Sequence, residues 1–155
     1  MTVLNLTKKQ QTSILSTVTH VGSLIPLAYF GIGAFVGWLG VDPIRTLIFD
    51  TGYVSLVLLV LSLACTPLNL LFGWNKLLML RKPLGLYAFM YVFLHFAIWA
   101  GLDYGLNLGL IVREGILNQP YVIVGFVAFM ILIPLAATSN RWSIKKLGKN
   151  WKRLH

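Results

Sequence analysis

TGYVSLVLLVLSLACTPLNLLFGWN, residues 51–75, contains no acidic or basic side chain. As a helix it is long enough to cross a hydrocarbon core of about 30 Å, which takes about 20 apolar residues. Its apolar residues do not alternate with polar ones, so it does not read as a strand of a membrane barrel. Helix is then the spanning solution left, because lipid offers the backbone no hydrogen-bond partners. Three further stretches also lack Asp, Glu, Lys and Arg: residues 10–41, 83–102 and 115–140. The expected fold is therefore an all-α membrane protein, a four-helix transmembrane bundle forming one domain over 1–155, with spans near 17–38, 53–72, 84–103 and 120–138.

Composition agrees with this. Of the 155 residues 57% are hydrophobic and 11% charged, whereas a soluble domain carries about a quarter charged residues. The net charge of +9 would suggest nucleic acid in a soluble protein. Here the cations sit outside the spans, before, between and after them, and no nucleic-acid partner is expected. The segment MTVLNLTKKQQTS, residues 1–13, resembles the start of a secretory signal. The apolar run from Val21 to Leu39 is longer than a signal core, so it reads as the first span.

Charge placement orients the bundle. Basic residues number 2 before the first span, 1 and 3 in the next two loops, 1 in the last loop and 6 after the fourth span. This alternation places the N-terminus, the second loop and the C-terminal segment on the cytoplasmic side. Trp38, Trp74, Tyr104 and Tyr121 fall near span ends, where amphipathic rings favour the interface. Pro26, Pro67 and Pro134 lie in or near spans and can bend them. Thr138-Ser139-Asn140 supplies helix-capping residues before the basic IKKLGKNWKRLH, residues 144–155. That segment is expected either to lie on the anionic leaflet as an amphipathic helix or to begin a fifth helix.

No Walker loop, paired carboxylates, cysteine cluster or Ser/His/Asp set is present. Cys65, the single cysteine, reads as a packing residue. Ionisable groups within spans are costly and mark function, which directs attention to the histidines. His95, within YVFLHFAIWAG, residues 91–101, is either an axial ligand of haem iron or a histidine bonded to another helix. His20 reads as structural. Arg81 lies 14 residues before His95, close to four helical turns, so both project from one face about 21 Å apart along the axis. RKP at 81–83 is also an ordinary anchor on the inner side of a span. A small transporter would place more polar groups at mid-membrane than these spans offer.

Further motifs occur in order: TG at 51–52, LACTPL at 63–68, LRKPLGLYAFMYVFLH at 80–95, QPYVIVGF at 119–126, LAATS at 135–139 and KKLGKNWKRLH at 145–155. In these the chain resembles the MsrQ (YedZ) family, within the ferric-reductase-like transmembrane superfamily, over essentially its whole length. The resemblance implies a haem-b subunit of the bacterial inner membrane. Electrons would pass from a cytoplasmic flavin reductase or the quinone pool to a periplasmic molybdopterin methionine sulfoxide reductase. It implies haem b as cofactor, with flavin mononucleotide in addition, and makes the chain an electron-transfer subunit, not the catalytic one.

By the same resemblance, His95 and His155 are metal ligands and Arg81 a cofactor-binding residue, while His20 matches a first-span histidine. The family continues through a fifth helix with another histidine and a sixth span, so the chain is expected to be C-terminally truncated. The outer haem would then lack a ligand and the inner site would keep Arg81 and His155, or His95 and His155 would share one haem. The alternative is a structural or assembly membrane protein whose basic tail binds lipid.

Overall fold

The computed structural model describes residues 7–155. Residues 1–6 of the basic N-terminal segment lie outside the described residues. Four helices are long and apolar enough to cross a membrane, and no strand occurs among the described residues. The chain is an all-α membrane protein.

Helix α1 (Lys8–Val36) begins at a capping box. The Thr7 hydroxyl accepts from Gln10 N, and the Gln10 side chain accepts from Thr7 N at 2.9 Å. This pairing satisfies two amide hydrogens that the first turn leaves without helical partners. Helix α2 (Pro43–Phe72) starts where Asp42 accepts from Arg45 N at 3.1 Å, with Pro43 in the first turn. Gly37 and Gly73 end α1 and α2 with φ of 81° and 68°. Both helices begin about ten residues before the expected spans. Capping sets where a helix starts, whereas hydrocarbon thickness sets only its lipid-embedded part.

A short 3-10 turn (Asn75–Met79) leads into α3 (Arg81–Ile98), which continues through a π-helical turn, Trp99–Asp103. After a single turn, α4 (Leu108–Leu110), and a second π turn, α5 (Pro120–Ala137) forms the last long helix. Two short helices follow, α6 (Arg141–Leu147) and α7 (Lys149–Leu154). Asn140 caps α6 by accepting from Ser143 N at 2.7 Å, the capping role its sequence context suggested. Gly148, with φ of 50°, separates the two. Trp151 Nε1 donates to the Thr138 carbonyl at 3.0 Å, which folds the basic segment back against the end of α5.

The core lies between α2 and α3. Thr51, Ser55, Leu58, Ser62 and Cys65 are buried on α2, and Leu84, Ala88 and Tyr91 on α3. The spacing of four, three, four and three along α2 makes one stripe of mostly small side chains. Lipid gives helices no hydrophobic reason to associate, so small residues that permit close backbone approach, together with interhelical hydrogen bonds, hold such pairs. Ser62 Oγ donates across the seam to the Arg81 carbonyl at 2.7 Å. Tyr91, fully buried, donates its hydroxyl to the Ser23 carbonyl of α1 at 2.7 Å. That carbonyl lies one turn before Pro26, in the stretch where a proline interrupts the helical ladder. Helix α5 joins through aromatic rings: Phe129 stacks on Phe96 at 5.1 Å and on Phe89 at 6.1 Å. Phe129 is the only buried residue of α5 among those described. The outward faces of α1, α2 and α5 carry exposed Ile, Val, Leu and Phe throughout, as lipid contact requires.

Tyr91→Phe is expected to cost about 1 kcal/mol, the scale of interhelical hydrogen bonds in membranes. Ala88→Leu, overpacking the seam, should cost about 1–3 kcal/mol. Thermal unfolding in detergent micelles measures both.

Candidate functional site

His95 lies on α3 one turn past Tyr91, at the α2 side of the seam. Its Nδ1 is 2.8 Å from the Ile48 carbonyl oxygen of α2. A carbonyl only accepts, so Nδ1 carries the hydrogen and donates it. In the neutral ring Nε2 is then left as an unprotonated lone pair. The Ile48 oxygen has room for this second bond because a carbonyl carries two lone pairs and the helical ladder uses one. Thr51 Oγ1 directs its hydrogen to Leu47 O at 2.6 Å, with Ile48 O farther at 3.2 Å.

Gly52 makes the approach possible. A Cβ at this position would lie 3.0 Å from His95 Nδ1 and 3.2 Å from Cε1. A glycine in mid-helix costs about 1 kcal/mol relative to alanine, and here its bare Cα is what the imidazole packs against. The TG pair at 51–52 therefore contributes directly to the geometry of His95, a role that chain position alone does not reveal.

At the other end of α3, Arg81 donates from Nη1 to Thr66 Oγ1 at 3.3 Å. His155 closes the same end of the bundle. Its Nε2 is 2.9 Å from Thr138 Oγ1. The Thr138 hydroxyl already donates to Pro134 O at 2.6 Å, so it accepts here and His155 Nε2 carries the hydrogen. The ring stacks on Trp151 at 4.3 Å. Burial, and secondarily the Arg81 guanidinium, lower its pKa, and in the neutral ring the lone pair is then on Nδ1. The structure thus brings Arg81 and His155 to one end and leaves His95 about four turns away along α3.

His20, on α1, pairs through Nδ1 with the Tyr87 hydroxyl of α3 at 2.9 Å. This contact was not evident from the sequence, since 67 residues separate the partners. Among the described residues, no three of His, Cys, Asp and Glu cluster so as to hold a metal ion.

The model of the ferric reductase like transmembrane component family matches residues 51–155. A protein-methionine-sulfoxide reductase heme-binding subunit MsrQ from Agrobacterium fabrum is 42% identical over 151 residues, covering 97% of this chain and 69% of its own length. The chain belongs to the MsrQ family. Two further members of the family are similar to it. The MsrQ of Brucella ovis is 41% identical over 137 residues and that of Brucella anthropi 42% over 135. The chain spans 61% and 60% of the lengths of these two relatives. No solved structure matches the chain. Within the family match fall Gly52, Arg81, His95 and His155, whereas His20 precedes it.

Replacing an unconstrained mid-helix glycine by alanine gains about 1 kcal/mol. Gly125, whose added Cβ would meet nothing within 4 Å, should show that gain on Gly125→Ala. Gly52→Ala should not, because the methyl displaces His95 from Ile48. Unfolding midpoints of the two variants in the same detergent decide it: an equal gain at both positions would mean that Gly52 does nothing for His95.

Proposed function

We propose that the chain is a haem-b electron-transfer subunit of the bacterial inner membrane, with its basic end in the cytoplasm. Its electrons would come from a cytoplasmic flavin reductase or the quinone pool and go to a periplasmic molybdopterin methionine sulfoxide reductase. The observation that carries this reading is the His95 imidazole. It stands on a membrane-crossing helix with Nδ1–H held by a backbone carbonyl and Nε2 free.

That arrangement fits an iron ligand. A ligating histidine characteristically donates its other ring N–H to a carbonyl or carboxylate, which sets the tautomer and ring direction. His95 meets this requirement with protein groups alone. The aromatic residues Phe96, Trp99, Phe126 and Phe129, in mutual ring contact, give α3 and α5 the apolar surface a porphyrin packs against. Haem, when bound, supplies the one-electron redox change.

The chain's residues hold and shield it. Ile48 and Gly52 aim the His95 lone pair. The Arg81 guanidinium offers N–H donors and no acceptor, so its part would be to bind a carboxylate edge of the porphyrin. His155, at Arg81's end, would serve iron of a second haem through Nδ1, or through Nε2 on giving up Thr138. The separation of about 21 Å between Arg81 and His95 favours two stacked sites over one haem shared by His95 and His155. Flavin mononucleotide would find most of the cations for its phosphate at the basic end, since Arg45 and Arg113 alone lie at the other.

A reduced-minus-oxidised absorption spectrum of the detergent-purified chain, with haem quantified per polypeptide, tests the proposal. A b-type α band at near-stoichiometric loading is expected, abolished or shifted by His95→Ala and weakened by Arg81→Gln. A His95→Ala spectrum identical to the parent's would remove His95 from the assignment.

A further inference from the structure

We propose that a notch between α1 and α3 at the basic end binds the phosphate of an anionic phospholipid. It is independent of the haem reading. The notch is a cavity of about 430 Å³ lined by His20, Lys82, Pro83, Leu86, Tyr87 and Met90.

Its polar groups can all supply hydrogens to a ligand. Lys82 brings three ammonium donors and no acceptor. His20 and Tyr87 share one hydrogen bond at 2.9 Å, and between them a neutral imidazole and a phenol own two hydrogens. If the phenol donates to Nδ1, Nε2–H is spare. If Nδ1–H donates to the phenol, the phenolic hydrogen is spare. Either tautomer leaves one donor free to meet a ligand. The chain's four acids, Asp42, Asp50, Asp103 and Glu114, all lie in the opposite half of the bundle. Among the described residues no Asp or Glu side chain therefore lies at the level of Lys82, and the notch favours an anion.

The remaining walls, Pro83, Leu86 and Met90, are apolar, and Leu86 is exposed. Lys82 is the second residue of α3, at the level where a basic side chain reaches the headgroups. Tyr87 lies about 7.5 Å deeper along the axis, and Met90 deeper again. A polar head at Lys82 and His20 with an acyl chain running down Leu86 and Met90 matches that order. Basic pockets between membrane helices are a recognised setting for anionic headgroups. A quinone head is neutral, so it could take hydrogen bonds here but would gain no charge pairing from the ammonium.

The test is native mass spectrometry of the full chain in detergent, titrated with phosphatidylglycerol or phosphatidylcholine. One phosphatidylglycerol should bind in preference to phosphatidylcholine. Lys82→Gln should weaken it about five-fold, with a further loss in Lys82→Gln/Tyr87→Phe. Leu86→Trp, filling the notch from its exposed wall, should also block binding. Lys145→Gln/Lys146→Gln, removing charge from the tail, should leave it in place. Three results would overturn the proposal: unchanged binding in the notch variants, loss confined to the tail variants, or displacement of phosphatidylglycerol by ubiquinone or flavin mononucleotide.

Discussion

The close approach of α2 to α3 is the constraint on which the rest of the structure depends. Two long apolar helices in lipid gain nothing by hiding side chains from water, so contact must come from fit and from hydrogen bonds. The stripe Thr51, Ser55, Ser62 and Cys65 supplies the fit. The Ser62 bond to the Arg81 carbonyl supplies one of the bonds. The bond of His95 to Ile48 supplies another, and it sits where Gly52 removes the last obstacle to contact. Structure and chemistry coincide at that point: the bond that helps hold the helices also sets the imidazole tautomer.

The same economy explains the periphery. Helix α1 is tied to α3 by Tyr91 through Ser23 and by His20 through Tyr87, both side-chain bonds, and leaves cavities on its flanks. Helix α5 meets α3 through phenylalanine rings and keeps most of its apolar surface outward. Charge is divided between the ends, with the cations gathered where α1 begins, α3 begins and the chain's basic segment lies. The proposed functional groups follow that division: Arg81, His155 and the His20–Tyr87 notch at the basic end, and His95 farther along α3.

Much of the fold was legible because lipid imposes a simple rule. Four charge-free stretches marked four long helices, and Asn140 marked the start of α6. The starts of α1 and α2 lie outside that rule, because Thr7–Gln10 and Asp42–Pro43 form caps and capping, not hydrocarbon thickness, decides where a helix begins. At the site, His95 stood out as an ionisable residue within a span. Its tautomer did not, since that depends on a carbonyl 47 residues away. Gly52 was visible only as part of a TG motif, with no sequence signal that its missing side chain serves a histidine. Tyr87 was likewise silent, because nothing in a stretch rich in aromatics distinguishes a ring that meets His20 from one that meets lipid.

A preset iron ligand at His95 requires its hydrogen at Nδ1 and its lone pair at Nε2 before any cofactor binds. The direct measurement is the side-chain ¹⁵N spectrum of the histidine-labelled, haem-free chain in bilayers, with His20→Gln and His155→Gln variants isolating the His95 signals. A protonated Nδ1 bonded to a carbonyl, with Nε2 bare, is the predicted result. A protonated Nε2 with Nδ1 bare would contradict the tautomer, and with it the case for His95 as a preset iron ligand.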